Sequence, residues 1–295
     1  MTLTADSQYA AVFQPLRPKL VRLAYRMLGS MADAEDVAQT AYLRWSGAEP
    51  EAVREPEAFL MRIVARLSLD ELKSARRRRE RYVGPWLPEP LIDEHAGEAD
   101  ARQVALPLLL ALERLSALER AAFLLHDIFD QDFDEVAQAL GRTPAACRQL
   151  ASRVRRRVRD GQPQSAPPTE AGLKLAQAFF TASRTGDLDG LRALLAEGVA
   201  VHADGGGLRP AAFRVLEGLE ETMLLHAQLA RRYATQPSVL VDVTIINGLP
   251  GFITREADGL QTTALRTEAG RITAVYVVRN PDKLARLEAA NLGKA

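Results

Sequence analysis

The sequence has one cysteine, Cys147, so an internal disulfide and a multi-cysteine metal site are both excluded. It has no apolar run near the ~18 residues that a membrane helix needs. The first residues, Met1-Thr-Leu-Thr-Ala-Asp6, lack the basic-then-apolar order of a secretory leader. No G-x-x-x-x-G-K-[ST] segment is present to cradle a nucleotide triphosphate. There is also no net charge, since 38 basic side chains balance 38 acidic ones. These features point to the cytoplasm, with no membrane partner, cofactor or metal, and a bare charge count does not announce a nucleic-acid partner.

Distribution says what the sum hides. Residues 73–81, KSARRRRER, carry six basic side chains against one acid, and residues 142–159 carry seven arginines and no acid. Residues 93–135 hold eleven acids against three arginines. Clustered charge of one sign focuses field where the net charge cannot. A single arginine run is as easily a solvated helix face, but two runs at the ends of two helical segments point to phosphate-binding surfaces.

The chain divides at two stretches. Residues 82–100, YVGPWLPEPLIDEHAGEAD, contain three prolines and two glycines and break helical periodicity. Residues 160–169, DGQPQSAPPT, form a Pro/Ser/Gln spacer. This leaves segments 1–81, 101–159 and 170–295.

The first segment reads as three helices. Phe13, Leu16, Leu20, Leu23, Ala24, Met27 and Leu28 share one face, and Gly29 ends that helix. Asp33 is placed to cap the next, which carries Val37, Ala41, Tyr42 and Trp45, and the third starts near Pro56 and runs into the arginine cluster. In the second segment, apolar faces over 108–115 and 118–129 precede a helix at Phe133–Leu140, which stops at Gly141. Thr143 is a good N-cap and Pro144 suits the first helical position. Cys147, Leu150 and Val154 then face inward, with Arg148, Gln149, Ser152, Arg153 and Arg156 outward. Helix, glycine turn and capped second helix make a helix-turn-helix pattern.

A helix of this kind fits the major groove, where residues near its N-terminus reach base edges. Those residues are Arg142, Thr143, Ala145, Ala146, Arg148, Gln149 and Arg153, with Arg155, Arg157 and Arg159 assigned to phosphates. The third segment predicts helices near 171–184 and 187–196. After them comes an antiparallel meander through Asn247-Gly248, Asp258-Gly259 and Ala269-Gly270, and a last helix from Pro281.

ADAEDVAQTAYLRW (Ala32–Trp45), followed by PEAFLMRIVARLSLDELKSARRRR, resembles domain 2 of bacterial RNA polymerase sigma factors. ALERLSALERAAFLLHDIFDQDFDEVAQALGRTPAACRQLASRVRRRV resembles sigma domain 4. The spacing, with no domain 3, resembles the extracytoplasmic-function (ECF) group. The segments YVGPWLPEPL, DGGG (Asp204–Gly207) and NPDKL (Asn280–Leu284) are similar to the SigJ-like subgroup, which has a SnoaL-like C-terminal extension. That subgroup has a lysine after the glycines; this chain has Leu208.

The resemblance implies a multidomain fold: two all-α sigma domains followed by an α+β, cone-shaped, NTF2-like domain. It also implies binding to core RNA polymerase through the β′ clamp by Asp33, Glu35, Asp36 and Gln39. Capture of the −10 strand falls to Arg62, Arg66, Asp70, Lys73, Arg76, Arg77, Arg78 and Arg79. Duplex −35 readout falls to Arg142, Thr143, Ala145, Ala146, Arg148, Gln149, Ser152, Arg153 and Arg156. An intramolecular regulatory contact is expected at Trp86, Leu87, Pro88, Glu89 and Pro90, with Asp204, Gly205, Gly206 and Gly207, and Asn280, Pro281, Asp282 and Lys283. The residues name no anti-sigma partner and leave a small ligand in the C-terminal domain open.

Two alternatives stay open on the residues alone. One is a one-component regulator with a metabolite-binding C-terminal domain; the other is an enzyme fused to DNA-binding helices. His202, Asp204, His226 and Asp242 are the acid–base groups available to an enzyme, but nothing in their spacing specifies a reaction. Neither alternative accounts for the domain 2 signature, so the chain is expected not to be an enzyme.

Overall fold

The computed structural model describes residues 5–47, 53, 55–79, 82–92, 105–161 and 170–292. The side chains of 74–79 and 159 lie outside this description, so Arg76–Arg79 and Arg159 are placed only as backbone, and linker residues 93–100 and 162–169 fall outside it altogether. The chain forms two compact units, Met1–Glu80 with Pro107–Gln162, and Arg81–Leu106 with Pro163–Ala295. The stretch expected as the linker between the helical segments belongs, as far as it is described, to the second unit.

In the first unit, α1 (Ala5–Leu28), α2 (Met31–Ser46) and α3 (Pro56–Arg79) pack together over Leu20, Leu23, Ala41, Trp45, Leu60 and Val64, each under 4% exposed. Gly29 ends α1 with φ +72°, a conformation glycine adopts without strain. Asp33 does not cap α2. The cap is Ser30, whose hydroxyl accepts from the Asp33 amide at 3.2 Å, because the helix starts three residues earlier than a cap at Asp33 requires.

The other helices of this unit are α4 (Leu106–Glu113), α5 (Ala117–Phe123), α6 (Phe133–Leu140) and α7 (Pro144–Gly161), with a π-helical turn at Leu124–Ile128. The ends of α6 and α7 agree with the sequence reading. Gly141 is left-handed at φ +63°, and the Thr143 hydroxyl accepts from the Ala146 amide at 3.2 Å. Arg120, 2% exposed, donates to the Leu112 carbonyl at 3.0 Å and also to the Met27 carbonyl, tying α5 to the end of α1.

In the second unit, α8 (Glu170–Thr185), α9 (Leu188–Leu194) and α10 (Leu219–Tyr233) accompany one six-stranded sheet. Its strands are β1 (Leu195–Asp204), β2 (Leu216–Glu217), β3 (Val239–Ile246), β4 (Leu249–Glu256), β5 (Gly259–Glu268) and β6 (Arg271–Val278), in the order β2-β1-β6-β5-β4-β3. The expected meander is β3 to β6. β1 was not expected: it takes over the end of the helix placed at 187–196 and pairs in parallel with β6.

The turns Asn247-Gly248 and Ala269-Gly270 have positive φ at both residues, which matches the twist of a two-residue hairpin. The third turn is Ala257-Asp258, because Gly259 already pairs with Glu256. A core of Phe179, Leu191, Leu195, Val201, Phe252, Leu265 and Val275 fills the space between helices and sheet. The last helix, α11 (Pro281–Leu292), follows β6.

Candidate nucleic-acid interface and linker-docking site

Along α7 the inward stripe is Cys147, Ala151 and Val154, all fully buried, with Leu150 half-buried. The residues between them are therefore turned to solvent: Arg148, Gln149, Ser152, Arg153 and Arg156 are exposed. Arg142, Thr143 and Ala145 are exposed at the helix start, and Ala146 is half-buried. Arg148 lies over the Phe133 ring, 5.5 Å from its centroid, which orients the guanidinium from a rigid base. Arg155 and Arg157 are placed differently from their expected phosphate role. Arg155 pairs with Asp127, and Arg157 with Glu119 at 3.1 Å. Burial works against the Glu119 carboxylate, but Ser116 hydrogen bonds and the Arg157 charge hold it below the usual range.

On α3, Arg62 donates to Gln138 at 3.1 Å and lies 5.3 Å from the Phe59 ring centroid. Arg66 donates to the carbonyls of Gln138 and Ala139, at 2.6 and 3.0 Å. These two expected strand-binding groups thus lie against α6. Asp70 pairs with Lys73 at 2.7 Å and shares a surface groove with Asp33, Asp36, Val37, Thr40, Leu67 and Glu71. The groove is acidic with an apolar floor. Asp36 and Gln39 are exposed, while Glu35 is 3.9 Å from Arg17.

The second unit brings the three quoted segments, YVGPWLPEPL, DGGG and NPDKL, to one point. Asp204 ends β1 with its side chain wholly buried. One carboxylate oxygen accepts from the Tyr82 hydroxyl at 2.5 Å and the Gly206 amide at 3.0 Å; the other accepts from the Leu87 amide at 2.8 Å and Lys283 Nζ at 2.7 Å. Its carbonyl accepts from the Arg279 and Asn280 amides, at 2.7 and 3.0 Å. A buried carboxylate is tolerated only when paired and hydrogen-bonded, and four donors meet that need.

Lys283 also donates to the Leu87 carbonyl and sits 4.2 Å from the Trp86 ring centroid. Asn280 donates to the Tyr82 hydroxyl at 2.8 Å and accepts from the Asp282 amide at 3.0 Å. Burial, and next the hydrogen bond to Asp204, push the Tyr82 hydroxyl far above its ordinary range. Leu87, Pro88, Glu89 and Pro90 are buried and Trp86 is half-buried.

Two glycines are explained by contact. A Cβ on Gly205 would lie 2.1 Å from the Arg209 carbonyl oxygen, and one on Gly206 would lie 2.4 Å from Asn280 Nδ2 at a φ of +65°. Gly207 approaches Val83, and Leu208 is 62% exposed in place of the subgroup's lysine. The sequence reading missed Tyr82 as a participant. Its place at the head of YVGPWLPEPL was the available signal.

The four acid–base candidates do not converge. Val201 and Ala203 face the interior of the unit, so His202 and Asp204 on the same strand face away. His202 stacks on Tyr276, with centroids 5.0 Å apart, and Asp242 is exposed on β3. His226 alone reaches the interior, against Phe179, and burial followed by the Arg184 charge lowers its pKa to about 4.

Comparison with known proteins decides the family. A Sigma-70 region 2 model matches residues 12–78, and a Sigma-70, region 4 model matches residues 105–158. The chain is 37% identical over 287 residues to the ECF RNA polymerase sigma factor SigJ of Mycobacterium tuberculosis, covering 92% of this chain and 91% of that protein. It is also 32% identical over 300 residues to the probable ECF sigma factor SigI of the same species, covering 95% and 96%. The chain belongs to the ECF RNA polymerase sigma factors.

The crystal structure of M. tuberculosis SigJ superposes with a TM-score of 0.73 at 32% identity, covering 94% of this sigma factor and 98% of that chain. As a sigma factor it directs promoter-specific transcription initiation with core RNA polymerase. Its first unit carries the all-α sigma domains 2 and 4, and its second unit is α+β, with helices accompanying one six-stranded sheet. No described helix is long and apolar enough to cross a membrane.

Proposed function

We propose that α2 docks on the β′ clamp of core polymerase through Asp33, Glu35, Asp36 and Gln39, that α3 holds the melted −10 strand, and that α6–α7 reads the −35 duplex. The work is then done in the cytoplasm. What supports the −35 assignment is the exposed row Arg142, Thr143, Arg148, Gln149, Ser152, Arg153 and Arg156 on a rigid, capped helix. Arginine matches guanine and glutamine matches adenine in the major groove. For α3, Lys73 is exposed, while Arg62 and Arg66 must leave Gln138 and Ala139 before they can reach DNA. Strand capture in this reading is coupled to loosening of α3 from α6.

The SnoaL-like domain is a regulator of its own chain rather than an enzyme. The observation that carries this is the Asp204 cluster, in which one buried carboxylate holds Tyr82 and Leu87 of the interdomain linker together with Lys283 of α11. Fixing the linker limits the separations open to domains 2 and 4, and those two domains must span the −10 and −35 elements at once. The test is run-off transcription with purified core polymerase, comparing the full chain with a chain ending near residue 169 and with Asp204→Ala. Both changes alter promoter-specific output in this reading; identical output from all three proteins contradicts it.

A further inference from the structure

Inside the second unit, a cavity of about 100 Å³ lies between α8, α10 and one face of the sheet. Much of its wall is apolar, with Phe179, Leu225, Leu229 and Val275. Its polar groups are unusual for a packed core. His226 is 5% exposed, and neither of its ring nitrogens has a hydrogen-bond partner among the described residues. The same holds for Nε of Arg184 and Nε of Arg279, two residues that line the cavity. Burying such groups unpaired is costly, so a sequence retains them where something else meets them.

The charge on the wall has one sign in excess. Arg184, Arg232 and Arg279 face it with Glu256. Arg184 is paired with Glu256 at 3.3 Å, while Arg279 and Arg232 share Asp258, at 2.8 and 3.8 Å. Three guanidiniums against two carboxylates leave one positive charge. A guanidinium Nε always carries a proton, and a neutral imidazole offers one donor and one acceptor. The residues around the cavity therefore combine one excess positive charge and unpaired buried polar groups with an apolar slot. Its volume is below the about 150 Å³ of a cavity that takes benzene, so it limits a ligand to one compact ring.

We propose that this cavity binds a compact single-ring monocarboxylate, with its ring against Phe179, Leu225 and Val275 and its carboxylate at His226 and the Nε groups of Arg184 and Arg279. The site is separate from the linker-docking cluster, and its occupancy is read without transcription, so it stands or falls independently of the regulatory reading.

The experiment is calorimetric titration of the full-length protein with benzoate, cyclohexanecarboxylate, benzamide and acetate. Both ring acids bind saturably. Benzamide, which keeps the ring and loses the charge, binds at least tenfold more weakly, and acetate, which keeps the charge and loses the ring, gives no saturation. His226→Leu fills the same space without ring nitrogens; it folds with an unchanged circular dichroism spectrum and loses at least tenfold in benzoate affinity. If that variant does not fold, the imidazole proton and nitrogen resonances of His226 in the wild-type protein replace it as the readout, and benzoate shifts them. Absence of saturable binding by both ring acids overturns the proposal. So does equal binding of benzoate and benzamide, an unchanged affinity in folded His226→Leu, or His226 resonances that benzoate leaves in place.

Discussion

On α7 of the first unit, Arg148, Gln149, Ser152, Arg153 and Arg156 stand in solvent, whereas in the second unit Asp204 is 0% exposed and meets four donors. Both sets are polar, but they are held by different physics. The exposed row is positioned by the apolar stripe behind it, so its members hardly stabilise the fold and are available to a partner. The buried set is part of the fold, because each member covers another's lost hydration. In the proposed reading, function in the first unit sits on a surface, and in the second in a junction whose loosening is the functional event.

That contrast can be broken by substitution. Asp204→Ala leaves Lys283, the Tyr82 hydroxyl and the Leu87 amide without their shared acceptor, and removing one partner of a buried charge pair costs about 3–5 kcal/mol. Denaturant unfolding of the full chain should show a loss of that order, with faster proteolysis within residues 82–92 at native conditions. A loss below about 0.5 kcal/mol would place Asp204 with ordinary surface residues.

Gly206→Ala follows, because its Cβ would strike Asn280 in a left-handed backbone; the cost is about 1–3 kcal/mol by the same unfolding measurement. Arg148→Ala and Gln149→Ala should each lower discrimination between matched and mismatched −35 sequences by about 1–3 kcal/mol in holoenzyme binding assays. Their unfolding midpoints stay within about 0.5 kcal/mol of the parent, because both side chains are exposed. Asp36→Arg likewise keeps its stability while co-purification with core polymerase is lost.

The smallest expected effect is one of pH. The pKa of His226 falls from an ordinary 6.5 to about 4 on folding, first by burial and then by the Arg184 charge, with Arg232, Arg279 and Glu256 on the same wall. The unfolded chain takes up a proton that the folded chain refuses, so stability falls as pH drops from 6.5 toward 4. His226→Leu should flatten that part of a stability–pH curve.

What the sequence made legible follows the same division. The bounds of α6, its glycine stop and the Thr143 cap were readable because all their determinants are within a few residues. So were the hairpin turns at Asn247-Gly248 and Ala269-Gly270. β1 was not, because its main pairing is parallel to β6, about seventy residues away in sequence, and Leu191, Leu194 and Leu195 continue a helical spacing into it. α10 escaped because its N-cap is Gly218, with φ +90° and no side-chain cap. The resemblance supplied the three segments of the linker site. The chemistry that joins them, one carboxylate with partners 117, 122 and 79 positions distant, has no local signature.

The central claim is that this sigma factor initiates transcription through its exposed helices and is controlled through the buried Asp204 junction. Run-off transcription from a promoter library with purified core polymerase tests both halves at once. The account predicts specific transcripts from the full chain, none from Asp36→Arg, and a changed yield from Asp204→Ala. No specific transcript from any form, or the same yield from all three, would contradict it.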